Sequence, residues 1–143
     1  MVDRRHLRGQ RLEPLRTLQS RGIVWSGGSD YYETQVEARY GLWASRARQT
    51  AKARYGLQPF GTAEAVDIHT ALRSYPAWGL RQMFLGDKID TLEAGKRADI
   101  AVWDRDLYSV SSEQFKDLKC LMTLLDRDVV HTSQDSPVTT EVR

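Results

Sequence analysis

The first part of the chain passes from a helical to a strand-like pattern of apolar residues. Leucines recur three positions apart, with a proline in the first turn and a glycine after the last, which predicts a short helix: Leu12, Pro14, Leu15, Leu18 and Gly22. The β-branched and aromatic run at residues 23–25 predicts a short buried strand of a mainly parallel sheet. One such strand cannot satisfy both of its edges alone, so the pattern indicates part of a larger architecture.

Helical periodicity continues through the middle of the chain. One packed face at helical spacing predicts a long helix, carried by Val36, Tyr40, Trp43, Ala44, Ala47 and Ala51. After a polar loop at residues 56–61, Thr62 is the expected N-cap of the next helix, with Glu64 and Asp67 near its positive end. Pro76 is expected to end or kink that helix, and a second short helix is predicted over residues 77–85.

Strand patterns dominate the remainder. Residues 89–96 predict a short strand entering a turn at Gly95, and residues 98–103 predict a stronger strand. Two further strands, at 121–125 and 129–131, are predicted to form a hairpin through Asp126-Arg127-Asp128, since aspartate tolerates the left-handed conformation of a tight turn. Residues after about 132 lose periodicity and predict a loose tail.

The glycine-rich segment after the first predicted strand is the main candidate for chemistry. Gly27 and Gly28 allow a sharp turn where the strand stops, and Asp30 then lies at its carboxyl end. In α/β sheets and barrels, ligands and catalytic groups collect at that end. A structural alternative stays open, because aspartate also commonly caps a helix or stabilises a turn.

Composition narrows the classes of protein. A chain of 143 residues with 41% hydrophobic and 28% charged residues can bury one core. It has no apolar stretch near the roughly 20 residues that span a bilayer. The polar, basic start carries no secretory signal, so no membrane partner and a cytoplasmic location are expected. The single cysteine, Cys120, excludes an internal disulfide framework.

Charge is distributed unevenly along the chain. Residues 1–60 hold 11 Lys or Arg against 5 Asp or Glu, whereas the rest holds 10 against 14. Cations alternate with aromatic residues in the long predicted helix and just beyond it: Arg39, Tyr40, Trp43, Arg46, Arg48, Lys52, Arg54 and Tyr55. Such a pattern suits single-stranded nucleic acid. The helical spacing instead indicates one packed face with a solvated basic back, and because such a charged face is usually only solvated, nucleic acid is not the expected partner.

Several motifs occur together in a fixed order: Gly28-Ser29-Asp30, Ala71-Leu72-Arg73-Ser74-Tyr75, residues 91–100 with their Glu-x-Gly-Lys-x-Ala-Asp pattern, residues 102–106 and Leu121-Met122-Thr123. In this order they resemble the C-terminal portion of the amidohydrolase superfamily. The likeness is to the amidohydrolase-3 group, which includes N-substituted formamide deformylase-like enzymes. It extends from about Leu12 to about His131.

The resemblance implies an α/β fold: the C-terminal part of a (β/α)8 TIM barrel of the metal-dependent hydrolases, plus part of a small β-sandwich. Residues 1–85 would form the last helix-strand-helix portion of the barrel, residues 86–132 the C-terminal half of the composite sandwich, and residues 133–143 a flexible tail. The resemblance makes Asp30 a metal ligand and proton shuttle. It leaves Tyr31 and Tyr32, which replace the family's small residue and proline, as candidate substrate-binding residues.

The resemblance also implies a divalent metal, zinc before others, in the intact enzyme. The family's His-x-His pair and later histidine ligands cannot be placed on His6, His69 or His131. We therefore expect this chain alone to hold no metal and to hydrolyse nothing.

Two interpretations follow. In the first, the chain belongs to an amidohydrolase that cleaves a non-peptide carbon–nitrogen bond of a small amide-type substrate, completed by a missing N-terminal barrel half. In the second, it is an inactive truncated paralogue that acts as an interaction or nucleic-acid-binding module. Its open barrel edges would then invite pairing with another chain, including a second copy of itself.

Overall fold

The fold combines short helices in the first part of the chain with a small sheet in the second. The computed structural model describes residues 9–30, 37–50, 56–89 and 91–138. Its elements, in chain order, are α1 (Leu15–Ser20), α2 (Ala38–Ala47), a first 3-10 helix (Thr62–Glu64), α3 (Ile68–Ser74), α4 (Ala77–Gln82), β1 (Ile100–Trp103), a second 3-10 helix (Glu113–Asp117), β2 (Cys120–Leu125) and β3 (Asp128–Thr132). None of the described helices is both long and apolar enough to cross a bilayer.

The predicted helices form, with shifted ends. Pro14 occupies the N-cap position of α1, and Gly22, at φ +70°, lies just after its end. α2 ends at Ala47, and its C-cap, Arg48, is left-handed at φ 54°. Val36 and Ala51, at the ends of the predicted long helix, lie outside the described residues. Pro76 separates α3 from α4 as expected, and α4 ends at Gln82 rather than at residue 85.

The N-cap prediction at Thr62 is wrong. Thr62 opens a 3-10 turn of three residues, after which Ala65 is extended. Asp67 is the actual cap of α3, because its carboxylate accepts a hydrogen bond from the Thr70 amide at 2.7 Å. An aspartate whose oxygen reaches the third amide of a helix satisfies one of its free donors.

The strand predicted at residues 23–25 is absent from the described structure, where residues 23–30 carry no regular secondary structure. A strand is defined by its neighbours, and this segment makes different hydrogen bonds. The Ile23 amide donates to the Leu18 carbonyl at 3.0 Å, and the Gly27 amide donates to the Ser74 carbonyl at 3.0 Å. Trp25 is nevertheless buried, as the apolar run predicts.

The sheet is antiparallel, with the order β1-β2-β3. Ile100 pairs with Leu124 across β1 and β2, and Thr123 pairs with His131 across β2 and β3. The hairpin prediction is confirmed: Asp126 and Arg127 adopt φ 51° and 77°, as a type I′ turn requires. The predicted strand at 89–96 does not form among its described residues, although Gly95 makes the predicted turn at φ +94°.

The core joins the helical part to the segment before β2. Its buried apolar residues are Trp25, Leu42, Trp43, Val66, Ala71, Val110, Phe115 and Leu118. Phe115 and Leu118, in and just after the second 3-10 helix, are completely buried, and that helix packs against α2. The core therefore contains residues from both sides of the predicted boundary at residue 85, a boundary that remains a prediction.

Candidate functional site

The segment that leads to Asp30 is held by the corner between α3 and α4. The Gly27 amide donates to the Ser74 carbonyl at 3.0 Å, at the end of α3. One residue earlier, the Ser26 hydroxyl donates to Gln82 Oε1 at 2.7 Å, at the end of α4. Ser26 and Gly27 are thus hydrogen-bonded to the ends of α4 and α3, which fixes the path of the backbone just before Asp30.

Tyr75 packs where two glycines leave room for it. A Cβ atom on Gly27 would lie 2.4 Å from Tyr75 Cε2, and one on Gly41 would lie 1.6 Å from Tyr75 Oη. Both distances are shorter than any van der Waals contact, so the ring occupies the space that a side chain at either position would need. Burial raises the pKa of the Tyr75 hydroxyl. The Tyr75 motif therefore contacts Gly27, the residue directly before the Gly28-Ser29-Asp30 motif.

Trp25 continues the same packed layer. Its ring meets Trp78 edge to face, with centroids 5.6 Å apart and an angle of 74° between the planes. The Arg73 guanidinium lies over Trp78 at 5.5 Å from the ring centroid. The apolar run before Asp30 is in this way anchored on α4, by the aromatic residue that follows Pro76.

Asp30 itself is exposed, and its backbone is left-handed at φ 46°. Aspartate is one of the few residues other than glycine that adopt this region readily. Tyr31 and Tyr32 lie outside the described residues. A shallow cleft of about 220 Å³, lined by Arg81, Phe84, Gly86 and Asp87, does not include Asp30. The roles predicted for Asp30 and the two tyrosines stay predictions.

The described residues do not by themselves form a metal site. Among them, no group of three or more histidine, cysteine, aspartate or glutamate side chains could hold an ion. His69 and His131 are exposed, on α3 and β3 respectively, and His6 lies outside the described residues. If Asp30 binds a metal, the other ligands must come from elsewhere.

The sequence predicted Glu64 near the positive end of a helix, but its buried carboxylate has different partners. Glu64, only 7% exposed, accepts hydrogen bonds from the Thr17 hydroxyl at 2.6 Å and from the Thr17 amide at 2.9 Å. These bonds hold the pKa of the Glu64 carboxyl below its usual value. A carboxylate satisfied in this way fastens α1 to the first 3-10 helix. The sequence carries no signal for it, because Thr17 is 47 positions away.

The described cations of the basic-aromatic helix make contacts within the molecule. Arg48 is buried and donates to the carbonyls of Leu12, Glu13 and Phe60. Arg39 donates to the Leu118 carbonyl, and Arg46 lies over the Phe115 ring at 5.0 Å. Trp43 is 2% exposed, so it offers no face on which a base could stack. These contacts favour the structural interpretation; Lys52, Arg54 and Tyr55 lie outside the described residues.

The Glu-x-Gly-Lys-x-Ala-Asp motif holds loops together. The Lys96 ammonium donates to the Gly86 carbonyl at 2.9 Å and to Thr91 Oγ1 at 2.8 Å. At the other end of the motif, Asp99 Oδ1 accepts a hydrogen bond from the Asp126 amide at 2.7 Å, in the hairpin turn. The motif thus connects the segment after α4 to the sheet. Lys96 and Asp99 of the motif thus have hydrogen-bond partners within the fold.

Comparisons with known proteins agree with the motif order. The model of the amidohydrolase family matches residues 1–131. Over 116 residues, the chain is 29% identical to an N-substituted formamide deformylase of Arthrobacter pascens. That alignment covers 81% of this chain and 21% of the relative, so the chain spans about a fifth of the relative's length. No solved structure matches the chain significantly.

The family match covers most of the chain, including the segment that ends at Asp30, the Tyr75 helix and the Lys96 turn, and on this evidence the chain belongs to the amidohydrolase family.

Proposed function

We propose that this chain supplies the C-terminal part of a metal-dependent amidohydrolase that cleaves a non-peptide carbon–nitrogen bond. The observation that carries the proposal is the family match over residues 1–131, within which Asp30 follows the glycine-rich segment. The similar protein from Arthrobacter pascens is an N-substituted formamide deformylase, which suggests small N-substituted amides or formamides as the substrate class.

In this proposal Asp30 acts on protons. Amide nitrogen is a poor leaving group unless it is protonated, so a base must take a proton from the attacking water and deliver it to nitrogen. A carboxylate can do both, whereas the amide of asparagine could bind a metal but could not carry the proton. Asp30 is exposed, which is compatible with this role, because a substrate or a partner segment could reach its side chain.

The metal requires residues beyond those described. When bound, a divalent ion lowers the pKa of bound water and polarises the scissile carbonyl. We propose zinc, with Asp30 as one ligand. The described residues contain no cluster that could complete the site, so the remaining ligands would belong to an N-terminal barrel half. Tyr31 and Tyr32 would border the substrate.

The same proposal includes the finer architecture. The small α/β structure with its antiparallel sheet is compatible with a barrel end at residues 1–85 and half of a β-sandwich at residues 86–132. We also propose that the protein is cytoplasmic and that it associates with further copies of the chain.

The test uses the protein expressed from the complete reading frame that contains this chain. Formate and amine release from N-butylformamide and formanilide would be measured together with zinc content. We expect zinc-dependent turnover, and a loss of about 100- to 10,000-fold in kcat/KM for Asp30→Asn, the range over which a positioned acid–base group contributes. Asp117→Asn removes another exposed carboxylate, at the end of the second 3-10 helix, and should stay within about twofold of wild type.

Two results would contradict the proposal. Equal turnover by the wild type and Asp30→Asn would remove Asp30 from the chemistry. Stoichiometric zinc and turnover in the isolated 143-residue chain would show that no further barrel half is needed. A complete reading frame without an upstream His-x-His motif, combined with salt-dependent binding of a single-stranded oligonucleotide, would favour the alternative of an inactive binding module.

A further inference from the structure

We infer that Tyr75 is a positioning residue for Asp30. This inference rests on the proposed function, because it concerns the carboxylate to which that function assigns the proton transfer. Its basis is the contact between the Tyr75 ring and the segment that carries Asp30, three residues after Gly27.

The first step is the steric relation between Tyr75 and its neighbours. Cβ positions built on Gly27 and Gly41 fall 2.4 Å and 1.6 Å from atoms of the same ring. The ring thus lies against the backbone of the Asp30 segment at Gly27 and against the backbone of α2 at Gly41. Because neither backbone carries a side chain there, the Tyr75 side chain contacts both the segment and α2.

The second step is the hydrogen bonding around the ring. The residue just before Tyr75, Ser74, accepts the Gly27 amide through its carbonyl, and the Ser74 side chain is fully buried. The Ser74 hydroxyl donates to the Ala71 carbonyl at 2.7 Å, within α3. The ring and the carbonyl that contact Gly27 therefore come from adjacent residues, Tyr75 and Ser74, at the end of α3.

The third step is the short path to Asp30. Between Gly27 and Asp30 lie only Gly28 and Ser29, and Asp30 itself is left-handed at φ 46°. A change in the direction of the backbone at Gly27 is passed on through three peptide units before it reaches Asp30. Misplacement of a reacting group by about 1 Å can cost about 100-fold in rate, so small changes at Gly27 matter for proton transfer.

The experiment compares Tyr75→Leu with Tyr75→Phe. Hydrogen exchange is measured at the Gly27 amide and, as a reference, at the Ser133 amide, which directly follows β3 and donates to the Leu121 carbonyl of β2 at 2.8 Å. With the ring removed in Tyr75→Leu, exchange at Gly27 should accelerate by about tenfold or more while Ser133 stays protected. Tyr75→Phe keeps the ring and should keep the protection of both amides.

The kinetic readout uses the protein from the complete reading frame. Tyr75→Leu should lower kcat by about 10- to 100-fold with little change in KM, because the substrate still binds while the base is misplaced. Tyr75→Phe keeps the ring and should keep the kcat of the wild type. A KM effect with unchanged kcat, or equal kcat for the Leu and Phe variants and the wild type, would overturn the inference.

The two readouts separate this inference from the proposed function. If the protein has no amidase activity but Gly27 exchange responds selectively, the hydrolase proposal fails, while the contact between Tyr75 and the segment stands and its catalytic meaning is lost. If activity is present and Gly27 exchange is the same in all three proteins, Tyr75 does not position the segment. If Tyr75→Leu exposes both amides because it unfolds, Gly27→Ala replaces it. The new methyl group would lie 2.4 Å from Tyr75 Cε2, so the ring and the segment must move apart. Gly27→Ala should therefore show the same selective exchange at the neighbouring amides and the same loss of kcat.

Discussion

Two buried charged side chains, Glu64 and Arg48, form hydrogen bonds with neutral groups. The Glu64 carboxylate accepts two hydrogen bonds from Thr17, and the Arg48 guanidinium donates to three backbone carbonyls. Hydrogen bonds of this kind compensate the loss of hydration that a buried charge suffers. Both residues connect the segment around α1 to the region that follows α2, so each is expected to contribute to stability rather than to chemistry.

Glu64→Gln should make the protein less stable and less sensitive to acid. We expect a loss of about 1–2 kcal/mol at pH 7, because one charged hydrogen-bond acceptor is replaced by a neutral one. The pKa of Glu64 is lowered in the folded state from its ordinary value of 4.5. Its contribution is therefore complete above about pH 4.5 and is lost as the pH falls through the lower folded pKa. Urea unfolding of both proteins from pH 7 to pH 3 measures this, and curves that stay parallel would contradict it.

Gly41→Ala tests the packing of Tyr75 by stability alone. In an ordinary helix interior, alanine is about 1 kcal/mol more favourable than glycine. Here the new Cβ would lie 1.6 Å from Tyr75 Oη, so we expect a net loss of about 1–3 kcal/mol instead. In a Tyr75→Phe background the hydroxyl is gone and the loss should shrink by about 1 kcal/mol or more. Additive effects in this double-mutant cycle, measured by chemical denaturation, would show that the two residues do not touch.

At the scale of elements, the hairpin turn between β2 and β3 contains an uncommon residue. Arg127 adopts φ 77°, where glycine is strongly preferred, and Asp126 adopts φ 51°. The Arg127 amide donates to the Ala98 carbonyl at 3.3 Å, a bond that any residue other than proline can make. The side chain is exposed, so its conformational cost is not offset by burial.

Arg127→Gly should therefore stabilise the protein, by about 0.5–1 kcal/mol, because it removes the cost of a left-handed side-chain-bearing residue. Asp128→Gly is the matched control. It lies at the next position, as the first residue of β3, and should destabilise by a similar amount, because glycine weakens a strand. Thermal melts of the three proteins decide this, and a loss of stability in Arg127→Gly would contradict the turn geometry.

At the scale of the whole molecule, a single core joins segments far apart in sequence. Phe115 is fully buried in the second 3-10 helix, which packs against α2, and Arg46 of α2 lies over its ring. Lys116 of the same 3-10 helix lies over the Trp43 ring at 4.7 Å. Because the helical part and the part that leads into the sheet share these contacts, we expect them to unfold together.

Phe115→Ala should lower the stability of the whole chain by about 3–5 kcal/mol, the usual cost of a large buried cavity. Far-UV circular dichroism follows the helices, and hydrogen exchange at Ser133 follows the sheet; the two should report the same midpoint before and after the substitution. Two separated transitions, with only one shifted, would instead show that residues 1–85 and 86–132 fold independently.

Local patterns were sufficient for several elements and insufficient for others. α1, α3, α4 and the β2–β3 hairpin follow from periodicity, proline and turn residues, because the forces that define them act over a few positions. The strand predicted at residues 23–25 failed for the opposite reason: a strand needs a neighbour, and the described chain provides hydrogen-bond partners in α1 and α3 instead. The cap at Asp67 was missed because Thr62 offers the same local signal five positions earlier.

The sequence by itself determined the family, because its short motifs occur in a fixed order along the chain. It also singled out Asp30 as the carboxylate to test. Only the tertiary structure decided that Glu64 and Arg48 are internal ties, that the described basic-aromatic side chains make internal contacts, and that Tyr75 fills the space left by Gly27 and Gly41. Most of those facts depend on contacts between residues 35 or more positions apart, and no local pattern encodes which distant backbone will lie beside a side chain.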